Sequence, residues 1–408
     1  MKAPEQEAVV EEKTTGYAGL AILAGLVLWL GLRGSWSMVL IVVAIVVIIF
    51  LHELGHYLTA KWAGMKVTEF FIGFGPKLWS FQRGETEYGI KGIPAGAYVK
   101  IIGMSNLDEV DPAEEDSTYR SKPYWRRLSV AVAGSTMHFI LAFLLIFGVL
   151  VGYGTIQEDR WSVGAITGDS PAAEAGLRVG DRIVSVEGER FDTFAGMSEA
   201  VRALPGEEVD LTVVRDGREQ ALQAELAERN PDGENVGFLG VGADYQRVRT
   251  NPVAAVPESF GEMWTAGKES VLGLGRLFSP SGISQYVDNL TGSDGSIDSP
   301  GAEVRPSSPV GIVQAGGQLA ERGLINVVLL LFFFNMFIGI FNLTPTLPFD
   351  GGHVVIATYE KIRSMISGRR YQADVAKLMP LTYAVVLVLA LLFVTSLYLD
   401  IANPLDLG

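Results

Sequence analysis

The sequence predicts a multi-span α-helical membrane protein with a smaller α/β domain inserted between its membrane helices. Of its 408 residues, 49% are hydrophobic and only 19% are charged, whereas a soluble domain usually carries about 25% charged residues. Five apolar runs are long enough, or nearly so, to cross a hydrocarbon core of about 30 Å. Between the third and fourth runs, short strand-like segments separated by turn-forming residue pairs predict the inserted domain.

The apolar runs predict about five spanning helices. Two fall within residues 17–60, one covers residues 128–153, and two fall within residues 324–400. The polar tail, residues 1–16, is acidic and lacks the basic start of a secretory signal peptide, so we expect the first run to remain as an anchor. That run, residues 17–32, is short and glycine-rich, and an interfacial segment is the alternative. The other runs cover residues 37–60, 128–153, 324–347 and 380–399.

The second run ends in the motif HELGH, residues 52–56. On a helix, His52 and His56 lie at positions i and i+4, on one face, with Cβ atoms about 5–6 Å apart. Two imidazoles at this spacing can bind one zinc ion, and Glu53 beside them can act as general base for the attacking water. HExxH alone is a weak signal, but ionisable residues inside a spanning helix cost roughly 2.5–3.5 kcal/mol each and are usually functional. The motif therefore predicts a zinc site inside the membrane.

A second polar motif, NLTPTLPFDGG at residues 342–352, follows the fourth run. Pro345 and Pro348 break the helix there, and backbone groups freed at membrane depth must line a site or find partners in neighbouring helices. Asp350 is a lone carboxylate at the end of this span. Two histidines and a carboxylate around an open position form a hydrolytic zinc site, so we expect Asp350 to be the third ligand. A simple helix cap is the alternative.

Residues 160–245 are expected to form the inserted domain. The strand-like segments are residues 163–166, 182–186 and 209–214, and a helix-like stretch covers residues 194–204. The string SPAAEAGLRVGDRI, residues 170–183, resembles the PDZ domains attached to bacterial proteases. This resemblance implies a groove that accepts an extended peptide by strand addition, beside Val163, Gly164, Ala165 and Ile166. A filter or spacer that binds no peptide tail is the alternative.

Positive charge near the ends of the spans predicts the orientation in the membrane. Residues 61–127 and the connection between the last two spans both hold clusters of Lys and Arg, so we assign both to the cytoplasm. The PDZ-like domain is then extracytoplasmic. Residues 251–322 are expected to hold an amphipathic helix at residues 257–278, lying on the outer membrane face or on the PDZ-like domain. A flexible linker at residues 279–308, rich in Ser, Gly, Asp and Pro, should follow.

These motifs together resemble the site-2 protease family of intramembrane zinc proteases, in particular its bacterial branch that cleaves anti-sigma factors. The resemblance covers residues 37–400 and rests on HELGH, the PDZ-like insertion and NLTPTLPFDGG. It implies zinc bound by His52, His56 and Asp350, with Glu53 as the catalytic acid and base. It also implies that Asn342 holds the substrate backbone near the metal.

The stretch YGIKGIPAGAYVK, residues 88–100, resembles the membrane-associated, glycine-rich β-segment of the same family. The resemblance implies that residues within this β-segment contact the substrate. A spanning helix hides its scissile carbonyl, so a substrate must unwind before an exposed strand edge can pair with it. The implied substrate-binding residues are Gly92, Ile93, Pro94 and Gly96.

The chain departs from the family pattern at three places. His138 stands where the family often has Asn, and we expect it to make a structural hydrogen bond, because the zinc set is already complete. Phe349 stands in place of a leucine before the expected catalytic Asp, and we expect no effect on metal binding. The N-terminal span is additional. His353 resembles a family position regarded as structural, and we do not expect it to bind metal.

The sequence thus predicts a multi-pass protease of the inner or plasma membrane, with Zn²⁺ as cofactor and the lipid bilayer as its surroundings. Its expected substrates are anti-sigma factor-like single-span proteins that have received a first cut. A net charge of −14 supplies no basic face for nucleic acid. The alternatives are a catalytically silent, membrane-anchored PDZ scaffold, which would need a broken metal set, and a transporter, which would not need HExxH.

Overall fold

The computed structural model describes residues 35–231, 233–291 and 306–404, together with residues 24, 25, 28, 31 and 32. In this part of the chain the α-helices are α1 (Trp36–Trp62), α2 (Tyr124–Gly148), α3 (Pro171–Glu174), α4 (Phe194–Arg202), α5 (Pro252–Leu277), α6 (Pro280–Thr291), α7 (Pro309–Glu321), α8 (Leu324–Asn342), α9 (Asp350–Ser367) and α10 (Met379–Ala402). The strands are β1 (Val67–Arg83), β2 (Thr86–Ile101), β3 (Thr155–Ile166), β4 (Arg182–Val186), β5 (Glu189–Arg190), β6 (Glu208–Arg215), β7 (Arg218–Glu225) and β8 (Val241–Val248). The chain divides into two compact units, Met1–Phe147 with Pro257–Gly408, and Gly148–Val256.

Four helical segments of the described chain are long and apolar enough to cross a membrane, and they overlap the four later apolar runs. They are Trp36–Trp62, Tyr124–Tyr153, Leu324–Asn342 and Val375–Ala402. The first predicted run, residues 17–32, lies almost wholly outside the described residues. The predicted fourth span reaches residue 347, whereas α8 ends at Asn342, ahead of two prolines that cannot continue a helix.

The first of these spans, α1, carries the HELGH motif on the side that faces α2. It begins after Ser35, whose Oγ accepts a hydrogen bond from the N–H of Ser37 at 3.1 Å. Gly55 allows a close approach, because a Cβ at this position would lie 2.8 Å from the carbonyl oxygen of Ala133 in α2. Although α1 is apolar all round, its buried residues share one face: Ile41, Ile48, His52, Gly55, His56 and Ala60.

The antiparallel strands β1 and β2 follow α1 and pack against its second half. Phe70 in β1 is paired with both Val99 and Tyr88, so the first part of β1 lies between two segments of β2. The ring of Tyr57 in α1 stacks on Phe70 with centroids 5.3 Å apart, and its hydroxyl lies 2.5 Å from the hydroxyl of Tyr88. The predicted β-segment, residues 88–100, lies within β2 and forms most of that strand.

The unit Gly148–Val256 contains β3 to β8 in two sheets, with the orders β3-β8 and β5-β4-β6-β7. Its core is apolar and includes the fully or almost fully buried Trp161, Ile183 and Leu211. The predicted strands and the predicted helix of this domain occur as β3, β4, β6 and α4, with β3 beginning earlier than expected.

The prediction of a flexible linker at residues 279–308 is wrong for its first part, which forms α6. Ser279 caps this helix, since its Oγ accepts a hydrogen bond from the N–H of Gly282 at 3.0 Å, and Pro280 suits the first turn of a helix. Tyr286 is buried, and its hydroxyl lies 2.6 Å from Oγ1 of Thr395 in α10. Packing against α10 therefore stabilises a helix that the polar composition does not suggest.

Candidate metal centre

Three buried or half-buried side chains from α1 and α9 converge on one point. The Nε2 atoms of His52 and His56 are 3.2 Å apart. Oδ2 of Asp350, the first residue of α9, lies 3.6 Å from Nε2 of His52 and 3.3 Å from Nε2 of His56. Among the described residues, this trio forms a group that could hold a metal ion, and it is the set that the sequence predicts.

The backbone of α2 orients the two histidines. Nδ1 of His56 lies 2.7 Å from the carbonyl oxygen of Val130, so Nδ1–H donates and Nε2 keeps its lone pair for a metal. Gly134, one turn further along α2, faces both rings, and a Cβ there would overlap the imidazoles of His52 and His56. A residue without a side chain is therefore required where α2 crosses the histidine pair.

Two glycines place Asp350 at the beginning of α9. A Cβ on Gly351 would overlap the carbonyl of Leu343, and one on Gly352 would lie 2.6 Å from the amide nitrogen of Leu347. The loop between α8 and α9 therefore folds directly onto the first turn of α9. This contact fixes the carboxylate of Asp350 opposite a histidine pair that lies far away in the sequence.

The residues of this site fit a zinc ion. Oδ2 of Asp350 is buried and has no hydrogen-bond partner in the described part of the chain, although it points at two imidazole nitrogens. Buried polar atoms are almost always paired, so an unpaired oxygen beside two Nε2 atoms indicates a cation as the missing partner. Two histidines and one carboxylate are a zinc donor set with an open fourth position.

Glu53 lies beside the ligands without belonging to them. Its Oε1 is 4.0 Å from Nε2 of His52, and its carboxylate interacts with the backbone N–H of Val99 in β2. This is a suitable place for a group that exchanges protons with a water at the metal. Val99 lies within the predicted β-segment, but nothing in its residue type distinguishes it from its neighbours.

The structural hydrogen bond predicted for His138 is present. Its Nδ1 lies 3.0 Å from Oδ1 of Asn335 in α8, and the amide nitrogen of that Asn donates to the carbonyl of Leu331 at 2.7 Å. His138 is therefore engaged in a buried hydrogen bond between α2 and α8, and it lies outside the metal-binding trio. His353 also lies outside the trio, and its ring is near that of Tyr119.

The predicted substrate-binding residues occupy two places. Asn342 is the last residue of α8, and the loop that leads to Asp350 begins directly after it. Gly92, Ile93, Pro94 and Gly96 all lie in β2. Of these, Ile93 is 54% exposed, so its side chain is available for contact with another molecule.

The predicted peptide groove in the PDZ-like domain needs correction at Val163. This residue is fully buried, its N–H donates to the carbonyl of Asp181, and its carbonyl accepts from the N–H of Gly180, both at 2.7 Å. The other side of β3 pairs with β8. Both backbone groups of Val163 are therefore used within the domain, and a peptide strand cannot pair with it.

Helices apolar enough to span a membrane, a His-His-Asp group that could bind zinc and an adjacent Glu are together the features of a membrane-embedded zinc metalloprotease. The chain belongs to peptidase family M50, the site-2 protease family, whose model matches residues 40–390. It is similar to zinc metalloprotease Rip1 of Mycolicibacterium smegmatis, with 34% identity over 91% of this chain and 98% of the relative. Rip1 of Mycobacterium tuberculosis strain H37Rv is 32% identical over the same shares of the two chains.

Among solved structures, the PDZ domain of an SdrC-like protein from Listeria monocytogenes matches 22% of this chain and 92% of its own length. The identity is 19% and the TM-score 0.19. The alternative of a silent scaffold would require a broken metal set, whereas the chain is a zinc-dependent protease of the site-2 type, and its His-His-Asp group is complete and could hold a metal ion.

Proposed function

We propose that this zinc metalloprotease hydrolyses peptide bonds in or near the transmembrane segments of other membrane proteins. The observation that carries the proposal is the position of the proposed ligands: His52 and His56 belong to α1, a helix long and apolar enough to cross a membrane. A hydrolytic centre in such a helix serves substrates that reach it from within the bilayer. We propose anti-sigma factor-like single-span proteins, already shortened by a first cut, as the substrate class.

The proposed reaction is hydrolysis with Glu53 as the proton carrier. When bound, zinc makes water a nucleophile near neutral pH and polarises the scissile carbonyl. Glu53 takes a proton from the attacking water while the oxygen of that water bonds to the scissile carbonyl carbon. The carbon–nitrogen bond then breaks, and Glu53 returns the proton to the leaving amine. The side chains of the three proposed ligands stay in position during the reaction, because α2 fixes His52 and His56 and the α8–α9 loop fixes Asp350.

We also propose that the substrate binds as an extended strand along β2. The contact between Glu53 and the backbone of Val99 supports this, because a strand paired with β2 would bring its peptide groups to the catalytic carboxylate. An unwound segment would regain in this pairing some of the backbone hydrogen bonds that it loses on leaving the helical form. Ile93, exposed on the same strand, could contact a substrate side chain.

The Glu53→Gln variant tests the catalytic assignment. We expect cleavage of a reconstituted single-span substrate to fall by about 10²-fold or more, because the general base is lost. Zinc content, measured by atomic emission, should stay at the wild-type level, because all three ligands remain. Glu109→Gln, which makes the same chemical change at an exposed site, is the control. Turnover by Glu53→Gln at the wild-type rate would refute the role of Glu53.

The PDZ-like domain acts, in our proposal, as a size filter on the external side of the membrane. Because the PDZ-like domain is inserted between two spanning segments, it would lie on the same side of the membrane as the external part of a substrate. A bulky external domain on the substrate would then compete with the PDZ-like domain for space. Because Val163 already uses its backbone groups internally, strand capture there is disfavoured. Deleting residues 161–244 should then permit cleavage of substrates with intact external domains and leave cleavage of trimmed substrates unchanged. Loss of cleavage of trimmed substrates would instead identify a recruiting domain.

A further inference from the structure

A cavity of about 300 Å³ lies between the beginning of α2 and α9, and none of the zinc ligands lines it. Its lining is rich in basic side chains: Lys122, Arg127, Lys361 and Arg370. Its volume is at the lower end of the range for small-molecule sites. The question is whether these positive charges are neutralised within the protein.

The one acidic residue among the lining residues, Glu360, is fully engaged. Its Oε2 accepts a hydrogen bond from Nη1 of Arg127 at 2.5 Å, and its Oε1 accepts one from the N–H of Ala373 at 2.7 Å. Both members of the ion pair are buried. Glu360 therefore balances Arg127 and leaves the other three cations without a carboxylate.

The other three basic side chains of the lining form no ion pair within the described chain. Nζ of Lys122 donates to the carbonyl of Asp116, and Nη2 of Arg370 donates to the carbonyl of Arg120, both at 2.7 Å. Glu115, whose carboxylate interacts with the charge of Arg370, is held by two hydrogen bonds from Arg120. In the described chain, Lys361 forms no ion pair within 4.0 Å.

Arg127 adds a second, independent sign of a ligand. Its Nε is buried and has no hydrogen-bond partner among the described residues, although buried polar atoms are normally paired. An N–H donor without a protein partner in the described chain, beside three cations that form no ion pair there, favours an acceptor with negative charge. Phosphate oxygens provide both properties.

The position along α2 indicates where this anion comes from. The cavity is lined by Tyr124, the first residue of the span, and the next residue, Trp125, is 73% exposed. Exposed Trp at the end of a spanning helix marks the level of the lipid headgroups. On α9, one turn after Lys361, Met365 is 70% exposed, so an apolar surface lies beside the charged one.

We propose that this cavity binds the phosphate group of an anionic phospholipid, with Lys361 and Arg370 as the exposed cations that attract it. The buried Arg127 completes the site from inside. Binding at this place would join the start of α2 to α9, the helix that carries Asp350. The site is independent of the proposed proteolytic function, since it uses neither the zinc ligands nor Glu53.

The test uses the full-length protein, delipidated in detergent, and native mass spectrometry with phosphatidylglycerol and phosphatidylcholine of the same acyl chains. Wild-type protein should prefer phosphatidylglycerol. In Lys361→Gln/Arg370→Gln its affinity should fall about 30-fold, since each basic residue near a membrane surface contributes roughly fivefold. Both residues are exposed, so the variant should fold, which an unchanged zinc content would verify.

The control variant is Arg369→Gln/Lys377→Gln, which removes the same charge from neighbouring residues outside the cavity lining. It should retain the wild-type affinity. An equal loss in this control would show diffuse surface attraction, and equal binding of phosphatidylcholine would show that the cavity does not select lipids with a net negative charge. Displacement of phosphatidylglycerol by an equimolar amount of inorganic phosphate would assign the cavity to a soluble phosphate compound, because the acyl chains would then add nothing to the affinity. Each of these three results would overturn the proposal.

Discussion

His52 and His56, the two proposed histidine ligands of zinc, are positioned by uncharged groups of α2. The carbonyl of Val130 fixes the tautomer of His56, and the missing side chain at Gly134 makes room for both imidazoles. Val130 belongs to no recognisable motif, and a small-residue run such as the one around Gly134 is also what ordinary helix packing in an apolar span requires. Their role becomes visible only where α2 lies against α1.

The Gly134→Ala variant should lose zinc affinity. A methyl group at this position would overlap the rings of His52 and His56, so the ligands must move apart or α2 must shift. We expect an affinity loss of about 10–100-fold, the range found when groups that orient metal ligands are changed. Competition with a chromophoric zinc chelator measures the effect.

Gly148→Ala is the matched control for this variant, since it makes the same substitution in the same helix. A Cβ at Gly148 would meet no atom within 4 Å, so zinc affinity should remain at the wild-type value. Wild-type affinity in Gly134→Ala as well would show that the histidine pair tolerates the extra methyl group.

At the scale of single elements, a buried charge in the PDZ-like domain joins the turn before β4 to β6. Asp181, 1% exposed, accepts hydrogen bonds from Nε and Nη2 of Arg215 in β6 at 2.8 and 2.7 Å. It also accepts one from the N–H of Arg178 at 2.8 Å. The hydrogen bonds from Arg215 are the main reason why the pKa of Asp181 lies below its ordinary value of 3.8.

The stability of this domain should therefore fall in acid. A carboxyl whose pKa is lower in the folded than in the unfolded state stabilises the fold above the unfolded pKa. This stabilisation is lost as the pH falls through the folded value. In a fragment covering residues 148–256, Asp181→Asn should cost about 1.5–3 kcal/mol at pH 7, as expected for hydrogen bonds to a charged group. The difference from wild type should shrink below about pH 4.

Urea denaturation followed by fluorescence gives these free energies of unfolding, because Trp161, the single tryptophan of the fragment, is buried in its core. Asp192→Asn, an exposed change of the same kind, should leave stability within about 0.5 kcal/mol of wild type. A cost for Asp181→Asn that is constant from pH 7 to pH 3 would exclude the carboxylate charge as its source.

At the scale of the whole molecule, the distribution of basic residues predicts how the chain crosses the membrane. The segments 61–127 and 361–377 are both rich in Lys and Arg, and such segments remain in the cytoplasm. An alkaline phosphatase reporter fused after Gln246 should therefore be active outside, whereas one fused after Asn106 should be inactive.

A fluorescent reporter that folds only in the cytoplasm provides the reciprocal control at the same two positions, and it should be bright after Asn106 and dark after Gln246. Reversed activities at both positions would invert the orientation. The inverted protein would carry its PDZ-like domain in the cytoplasm, and the proposed external size filter would fail with it.

Features that repeat over a few residues could be predicted from the sequence. The i, i+4 spacing of His52 and His56 follows from helix geometry. The bounds of β4 agree with the prediction because alternation and turn residues are local signals. That Asp350 would lie beside the two histidines could also be predicted, since it is the lone carboxylate at the end of its span. The zinc chemistry of the protein was therefore present in the sequence before any fold was known.

The tertiary structure alone decided which distant groups meet. It brought Val130, Gly134 and the backbone of Val99 to the metal centre, paired His138 with Asn335, and used the backbone of Val163 within its own domain. It also made a helix of α6 by packing Tyr286 against α10. The spacing of apolar residues in a sequence indicates whether each segment is a helix or a strand. Contacts between these elements depend on which of their surfaces can pack closely together. That is why the ligands could be predicted from the sequence and the groups that hold them could not.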